Sequence, residues 1–228
     1  MAQGEKAIAS TPDHIDGPRR APKHGEPPRQ LVVFLHGFGA DGNDLIQLAP
    51  LLAESLPEAA FVAPHAPYPN DMLGGGRQWF SFRADNLWDI DEEVAETYGA
   101  FDRFLDAEIA QAGVPADKVA LVGFSQGGIT ALQAALRREA PLGAVAGLST
   151  VLANAAHLAS ELRSRPPVLL LHGDLDAVVP VRYFHESLQT LKDHGVPVTA
   201  HELPGRGHEI DPEAAGYLRD FLVAQLLG

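Results

Sequence analysis

The chain has 228 residues, 46% of them hydrophobic, a formal net charge of −13 and no cysteine. That much apolar material is enough for one sizeable core, so folding as a single globular domain is expected rather than disorder. The acidic balance works against partners that need clustered Lys and Arg, such as nucleic acid or an anionic membrane surface, and the lack of cysteine excludes disulfides and thiolate metal sites.

Residues 1–29 form an N-terminal tail rich in Pro, Gly, Lys and Arg, with an edge strand expected near residues 17–21. The tail has no apolar h-region of the kind a signal peptide carries. Residues 30–228 read as one catalytic-sized domain. The run LVVFL at 31–35 has strand length and is apolar throughout, the pattern of a strand covered on both faces. A helix is expected over 43–55, a second strand over 60–64, and a helix over 92–112, where Val94, Tyr98, Phe101, Leu105 and Ile109 recur at helical spacing. Then follow a strand (119–123), a helix (126–138), strands over 143–149 and 168–172, a helix (183–193) and an alternating outer strand (198–203). Asp211 as N-cap and Pro212 at the first helical position open a last helix to about residue 226.

Strands and helices alternating at this spacing define the α/β class: a mostly parallel sheet with helices on both faces. No apolar run is long enough to span a bilayer, so no stable membrane insertion and a soluble, cytoplasmic protein are expected. The segment 65–91 breaks the rhythm. It carries three consecutive glycines, Gly74–Gly76, and the aromatics Trp79, Phe80, Phe82 and Trp88, so an ordered loop covering something is expected.

One short stretch carries chemistry. Gly123-Phe124-Ser125-Gln126-Gly127 matches G-x-S-x-G and falls between a strand and a helix. A sharp strand-to-helix turn lifts the Ser125 hydroxyl clear of the sheet, and the flanking glycines let the neighbouring backbone approach. The helix behind it points free N–H groups at the same place, which favours developing negative charge. A Gly-Ser-Gly turn without chemistry is the bland alternative, and the strand–turn–helix context argues against it.

A serine nucleophile needs a histidine base oriented by a carboxylate, and on this architecture the chain order is Ser, acid, His. Six histidines follow Ser125: His157 on a polar linker, His172 at a strand end, His185 and His194 on a helix, His201 mid-strand, and His208. His208 stands in the glycine-containing loop PGRGHEID after the last strand, at the carboxyl end where open α/β sheets place their sites. It is the expected base. For the acid, LLLHGDLDAVVP (169–180) offers Asp174 and Asp176, and spacing alone leaves both open. Oxyanion donors are expected at the backbone N–H of Gln126 and, from the glycine-rich loop LHGFGADGNDL (35–45), at that of Phe38. The stretch DGND in that loop lacks the bidentate Glu of a calcium loop, which excludes that reading.

Together LHGFGADGNDL, GFSQGGITAL, LHGDLDAVVP and GRGHEID resemble the phospholipase/carboxylesterase family of α/β-hydrolase-fold serine hydrolases, which includes acyl-protein thioesterases. The likeness runs from about residue 31 to the C-terminus and looks strongest to bacterial carboxylesterases. It implies Ser125 as nucleophile, Asp176 as acid and His208 as base, leaving Asp174 a turn-stabilising role. It implies no metal and no cofactor, a small-molecule acyl ester of short to medium chain as substrate, and a homodimer as the assembly small members often adopt. Leu73, Trp79, Phe80 and Phe82 are expected either to wall an acyl pocket or to form a satellite core under the long loop. A thioesterase or lysophospholipase of the same family shares the carbonyl chemistry. A non-catalytic binding protein on this fold would usually lack a triad member, and all three are present here.

Overall fold

A computed structural model describes residues 15–82 and 90–228. Trp88 and the first 14 residues of the tail lie outside them. In chain order the elements are β1 (Arg19–Arg20), β2 (Gln30–Leu35), α1 (Gly42–Leu45), α2 (Ala49–Ala53), β3 (Ala59–Val62), β4 (Tyr68–Pro69), β5 (Arg77–Gln78) and α3 (Asp91–Ala112). They continue with β6 (Val119–Phe124), α4 (Gln126–Arg137), β7 (Ala144–Leu148), α5 (Leu158–Glu161), β8 (Val168–Gly173), α6 (Arg182–Asp193), β9 (Val198–Leu203) and α7 (Pro212–Leu226).

Among the described residues β1, β3, β2, β6, β7, β8 and β9 form one sheet in that spatial order. Every neighbouring pair is parallel except β1 with β3, where Arg19 faces Val62 and Arg20 faces Phe61. The apolar runs have their length because successive side chains of a strand leave opposite faces and both faces are covered. Leu31, Val33, Leu35, Leu121, Val145 and Leu170 point to one side, against Phe101 and Leu105 of α3, Leu132 and Leu136 of α4, and Leu191 of α6. Val32, Phe34, Val122, Ala146, Leu169 and Leu171 point to the other, against Leu52 of α2 and Leu218 and Leu222 of α7.

Two expectations change. The helix expected over 43–55 is broken into α1, a 3-10 turn and α2. Pro50 has no N–H to return to the carbonyl four residues back, so it fits only where a new helix begins, and it lies in the first turn of α2. The segment 65–91 contains a two-residue antiparallel ladder, β4 with β5, pairing Tyr68 with Gln78 and Pro69 with Arg77. Strands this short leave no periodicity to read. The ladder docks on the glycine-rich loop after β2, where the Gly39 amide donates to the Arg77 carbonyl (2.9 Å) and the Arg77 amide to the Ala40 carbonyl (2.8 Å). The last helix begins as expected, with the Asp211 side chain accepting from the Ala214 amide and Pro212 in the first turn.

A parallel sheet gathers the carboxyl ends of its strands along one edge. The loops after β2, β6, β8 and β9 therefore open to the same side, and these carry Phe38, Ser125, Asp176 and His208.

Candidate active site

Ser125 follows β6 with φ +52° and ψ −120°. A non-glycine residue there stores strain on the order of 1–3 kcal/mol and persists only where its surroundings hold it. The Ser125 amide donates to the Leu148 carbonyl of β7 (2.9 Å), and the Thr150 hydroxyl donates to the Ser125 carbonyl (2.8 Å). The glycines are required by space. A Cβ on Gly127 would stand 2.0 Å from the Leu35 carbonyl oxygen, and one on Gly123 would stand 2.3 Å from that of Gly127. Helix α4 thus starts in backbone contact with the end of β2.

The Asp176 carboxylate is fully enclosed. Its Oδ1 accepts from the amides of Val178 and Val179, both at 2.8 Å, and its Oδ2 accepts from His208 Nδ1 at 2.8 Å. That bond puts the His208 proton on Nδ1 and leaves the Nε2 lone pair free. The imidazole packs 4.8 Å from the Phe124 ring, which precedes Ser125. The Ser125 hydroxyl itself has not closed a hydrogen bond to His208, a contact that often tightens only when substrate binds. Asp174 does different work: its Oδ1 accepts from the Gly205 amide (2.6 Å), tying the turn after β8 to the loop that carries His208.

The other histidines after the serine are accounted for by contacts of their own. His172 Nε2 donates to the Val179 carbonyl (2.8 Å) and lies 3.5 Å from Asp176 Oδ2, with burial pushing its pKa down. His185 pairs with Glu202 on the surface, His194 Nδ1 bonds to the Thr190 carbonyl, and His201 stacks on Tyr217 at 3.9 Å. His157 closes a 3-10 turn.

A cavity of about 210 Å³ opens at Ser125. Phe38, Gln126, Ile129 and Thr150 line it with Ser125, and Met72, Phe82, Val151, Val178 and Val179 complete a mainly apolar wall. Of the four side chains expected there from sequence, Phe82 lines the cavity. Trp79 and Phe80 are buried in the core beneath it, and Leu73 lies exposed outside it against Gly39. The missed residues come from four separate loops and helices, so no window of sequence shows them as a set. A larger, more open groove of about 510 Å³, beside Arg29, Gln30, Glu58 and Lys118, lies where β2 and β6 begin, at the opposite edge from Ser125. No serine or histidine lines it, whereas Ser125 lines the smaller cavity. Among the described residues no group of three or more His, Asp or Glu could hold a metal ion.

Beside the cavity, His36 is fully buried. The Ala66 amide donates to its Nε2 (3.0 Å), so the proton sits on Nδ1, which donates to the Gly37 carbonyl (2.8 Å). Burial, opposed by the Gly37 bond and by Asp41 and aided by His65 and Arg77, lowers its pKa from the usual 6.5 to about 4. The unfolded imidazole takes up a proton below pH 6.5 that the folded one refuses. The stability this difference contributes is present above pH 6.5 and lost as the pH falls towards 4, about 3 kcal/mol in all at about 1.4 kcal/mol per pH unit. Urea unfolding near neutral pH and near pH 4.5 is expected to show a clearly smaller acid loss in His36→Asn than in the parent chain. Equal losses would remove His36 from the acid response.

The sheet order, the serine elbow and the Asp176–His208 pair together define an α/β-hydrolase. The profile of the phospholipase/carboxylesterase family matches residues 21–226, and the chain belongs to that family. It is an enzyme of the carboxylic-ester hydrolase class. Similar proteins include the acyl-protein thioesterase 1 of Gibberella zeae, 30% identical over 212 residues that cover 86% of this chain and 90% of the relative. The acyl-protein thioesterase 1 of Cryptococcus neoformans is 33% identical over 171 residues, covering 70% and 71%. Among solved structures, esterase PE8 superposes with a TM-score of 0.88 at 36% identity, over 93% of this chain and 99% of its own. Arabidopsis thaliana SOBER1 superposes at 0.77 and 27%, over 87% and 99%. Among the described residues no helix is long and apolar enough to cross a membrane.

Proposed function

We propose that the chain is a serine carboxylesterase that hydrolyses short- to medium-chain acyl esters through an acyl-enzyme. The reading rests on one arrangement: a serine braced at φ +52° above a mainly apolar cavity, beside a histidine whose Nδ1 proton is held by an enclosed carboxylate. Ser125 Oγ attacks the ester carbonyl while His208 Nε2 takes its proton. The tetrahedral oxyanion lies against the amides of Phe38 and Gln126, both at the cavity wall. The C–O bond to the alcohol then breaks, with His208 returning the proton to the leaving oxygen. Water, deprotonated by the same imidazole, attacks the acyl-enzyme and frees Ser125 and the acid. Asp176 holds the imidazole in its tautomer and stabilises its cation throughout.

Thioester hydrolysis is the second reading, because the fungal relatives carry the name acyl-protein thioesterase and the carbonyl chemistry is shared. One experiment addresses both. A fluorophosphonate should label the chain once, and peptide mass spectrometry should find the adduct on Ser125. Parallel p-nitrophenyl ester and acyl-thioester series, C2 to C12, should then give higher kcat/KM for the esters and a maximum at short to medium length. An inert chain, or an adduct elsewhere, would falsify the serine hydrolase reading. Comparable or higher kcat/KM on the thioesters would favour the second.

A further inference from the structure

The side chain of Gln126 is nearly fully buried and spans the gap between α4 and the loop after β5. Its Oε1 accepts from the Trp79 amide and its Nε2 donates to the Phe80 carbonyl, both at 2.8 Å. The Trp79 indole Nε1 in turn donates to the His36 carbonyl at 2.8 Å, and the two rings lie 5.5 Å apart. His36 then donates from Nδ1 to the Gly37 carbonyl. This last contact has a consequence beyond packing. The Gly37 carbonyl and the Phe38 amide are the two ends of one planar peptide unit, with C=O and N–H pointing opposite ways. Pinning the carbonyl fixes the direction of the Phe38 N–H.

A continuous hydrogen-bonded line therefore runs from the residue that supplies one oxyanion donor to the peptide that supplies the other. We infer that the Gln126 side chain, Trp79 and His36 are positioning residues that set the spacing and direction of the two oxyanion donors, the amides of Phe38 and Gln126. The inference rests on the acyl-transfer reading above. None of the three side chains need touch substrate, because each acts through the backbone it holds. Neutral His36 is required, since a proton on Nε2 would face the Ala66 N–H.

The test separates positioning from plain support of the loop. Trp79→Phe keeps an aromatic ring in the core and deletes only the indole end, and Gln126→Met keeps length and deletes both polar atoms. Each should lower kcat by roughly 10- to 100-fold, the scale of a misplaced oxyanion donor, with KM changed less than about threefold. Affinity for a trifluoromethyl ketone, which forms a tetrahedral oxyanion adduct on Ser125, should fall by the same factor as kcat. The double variant should lose little more than the worse single one, because both break the same line. At His36, Asn can place a donor where Nδ1 stood and Leu cannot, so His36→Asn should recover most of the kcat that His36→Leu loses.

A folded Trp79→Phe with unchanged kcat and ketone affinity overturns the inference, as does a rise in KM at constant kcat or an Asn variant no better than Leu. If Gln126→Met fails to fold, Trp79→Phe and the His36 pair decide alone. A parent chain that neither hydrolyses esters nor binds the ketone through Ser125 removes the acyl-transfer reading itself. An active, Ser125-dependent parent with indifferent variants removes only the positioning line.

Discussion

Ser125→Ala is expected to lower kcat on a p-nitrophenyl ester by roughly 10⁴- to 10⁶-fold and to leave the thermal midpoint almost unchanged. The first part follows from the site: two hydroxyls line the cavity, and that of Thr150 is engaged on the Ser125 carbonyl, which leaves the Ser125 hydroxyl to attack. The second follows from what the hydroxyl does not do. Ser125 occupies the N-cap position of α4, yet its side chain makes no cap hydrogen bond. The contacts that hold the elbow, to the Leu148 carbonyl and from the Thr150 hydroxyl, use the Ser125 backbone and survive the substitution. Alanine meets the same left-handed strain as serine, so the difference in stability should stay within about 0.5 kcal/mol. The oxyanion donors remain, so a slow background above the uncatalysed rate is expected. Hydrolysis by the variant at near-parental kcat would transfer the nucleophile elsewhere, and a large loss of stability would mean the hydroxyl is structural.

That separation between backbone and side chain also explains what could be read without coordinates. The inner strands of the sheet were legible because they are covered on both faces and are therefore apolar, as in LVVFL and VALVG. The outer strand β9 was legible for the opposite reason, since it lies at the sheet edge and alternates. The family motifs were legible because each joins a strand end to a loop, so residues 37–39, 123–127, 174–176 and 205–208 had to meet once the strands were parallel. The ladder of β4 and β5 was hidden: two residues per strand leave no period, and the pairing is set by tertiary contact with Gly39 and Ala40.

Within the site, aromatic content was a poor guide to position. Trp79 and Phe80 follow one another, yet they are drawn inward because the Gln126 amide grips their backbone and the indole reaches the His36 carbonyl. Phe82, two residues on, escapes that grip and faces the cavity, packing edge-on to Phe38 at 5.2 Å. The same event concealed the second use of Gln126. From sequence it mattered for its N–H alone, because nothing local indicates that a helix-start glutamine will meet a segment 46 and 47 residues upstream.

Asp176→Asn should cut kcat by about 10⁴-fold while the fold stays intact, and the reason is the arrangement of donors around the carboxylate. One oxygen faces two backbone amides, those of Val178 and Val179, and the other faces His208 Nδ1. An asparagine must keep its carbonyl oxygen on the two amides. The flipped alternative would press an NH₂ against two N–H donors and leave both unpaired, at a cost of about 1–3 kcal/mol for each. With the oxygen so placed, the NH₂ faces His208 Nδ1, which can then only accept. The imidazole proton moves to Nε2, on the side of Ser125, and the base is lost although no atom has moved far. Fluorophosphonate labelling of Ser125 should slow by a similar factor, because it needs the same proton acceptor. Asp174→Asn provides the contrast: an amide oxygen still accepts from the Gly205 N–H, so kcat should stay within a few-fold of the parent. Steady-state kinetics on the two variants side by side read the assignment directly. A severe loss in Asp174→Asn with a mild one in Asp176→Asn would reverse it, since the tautomer argument holds only for the carboxylate that faces the imidazole.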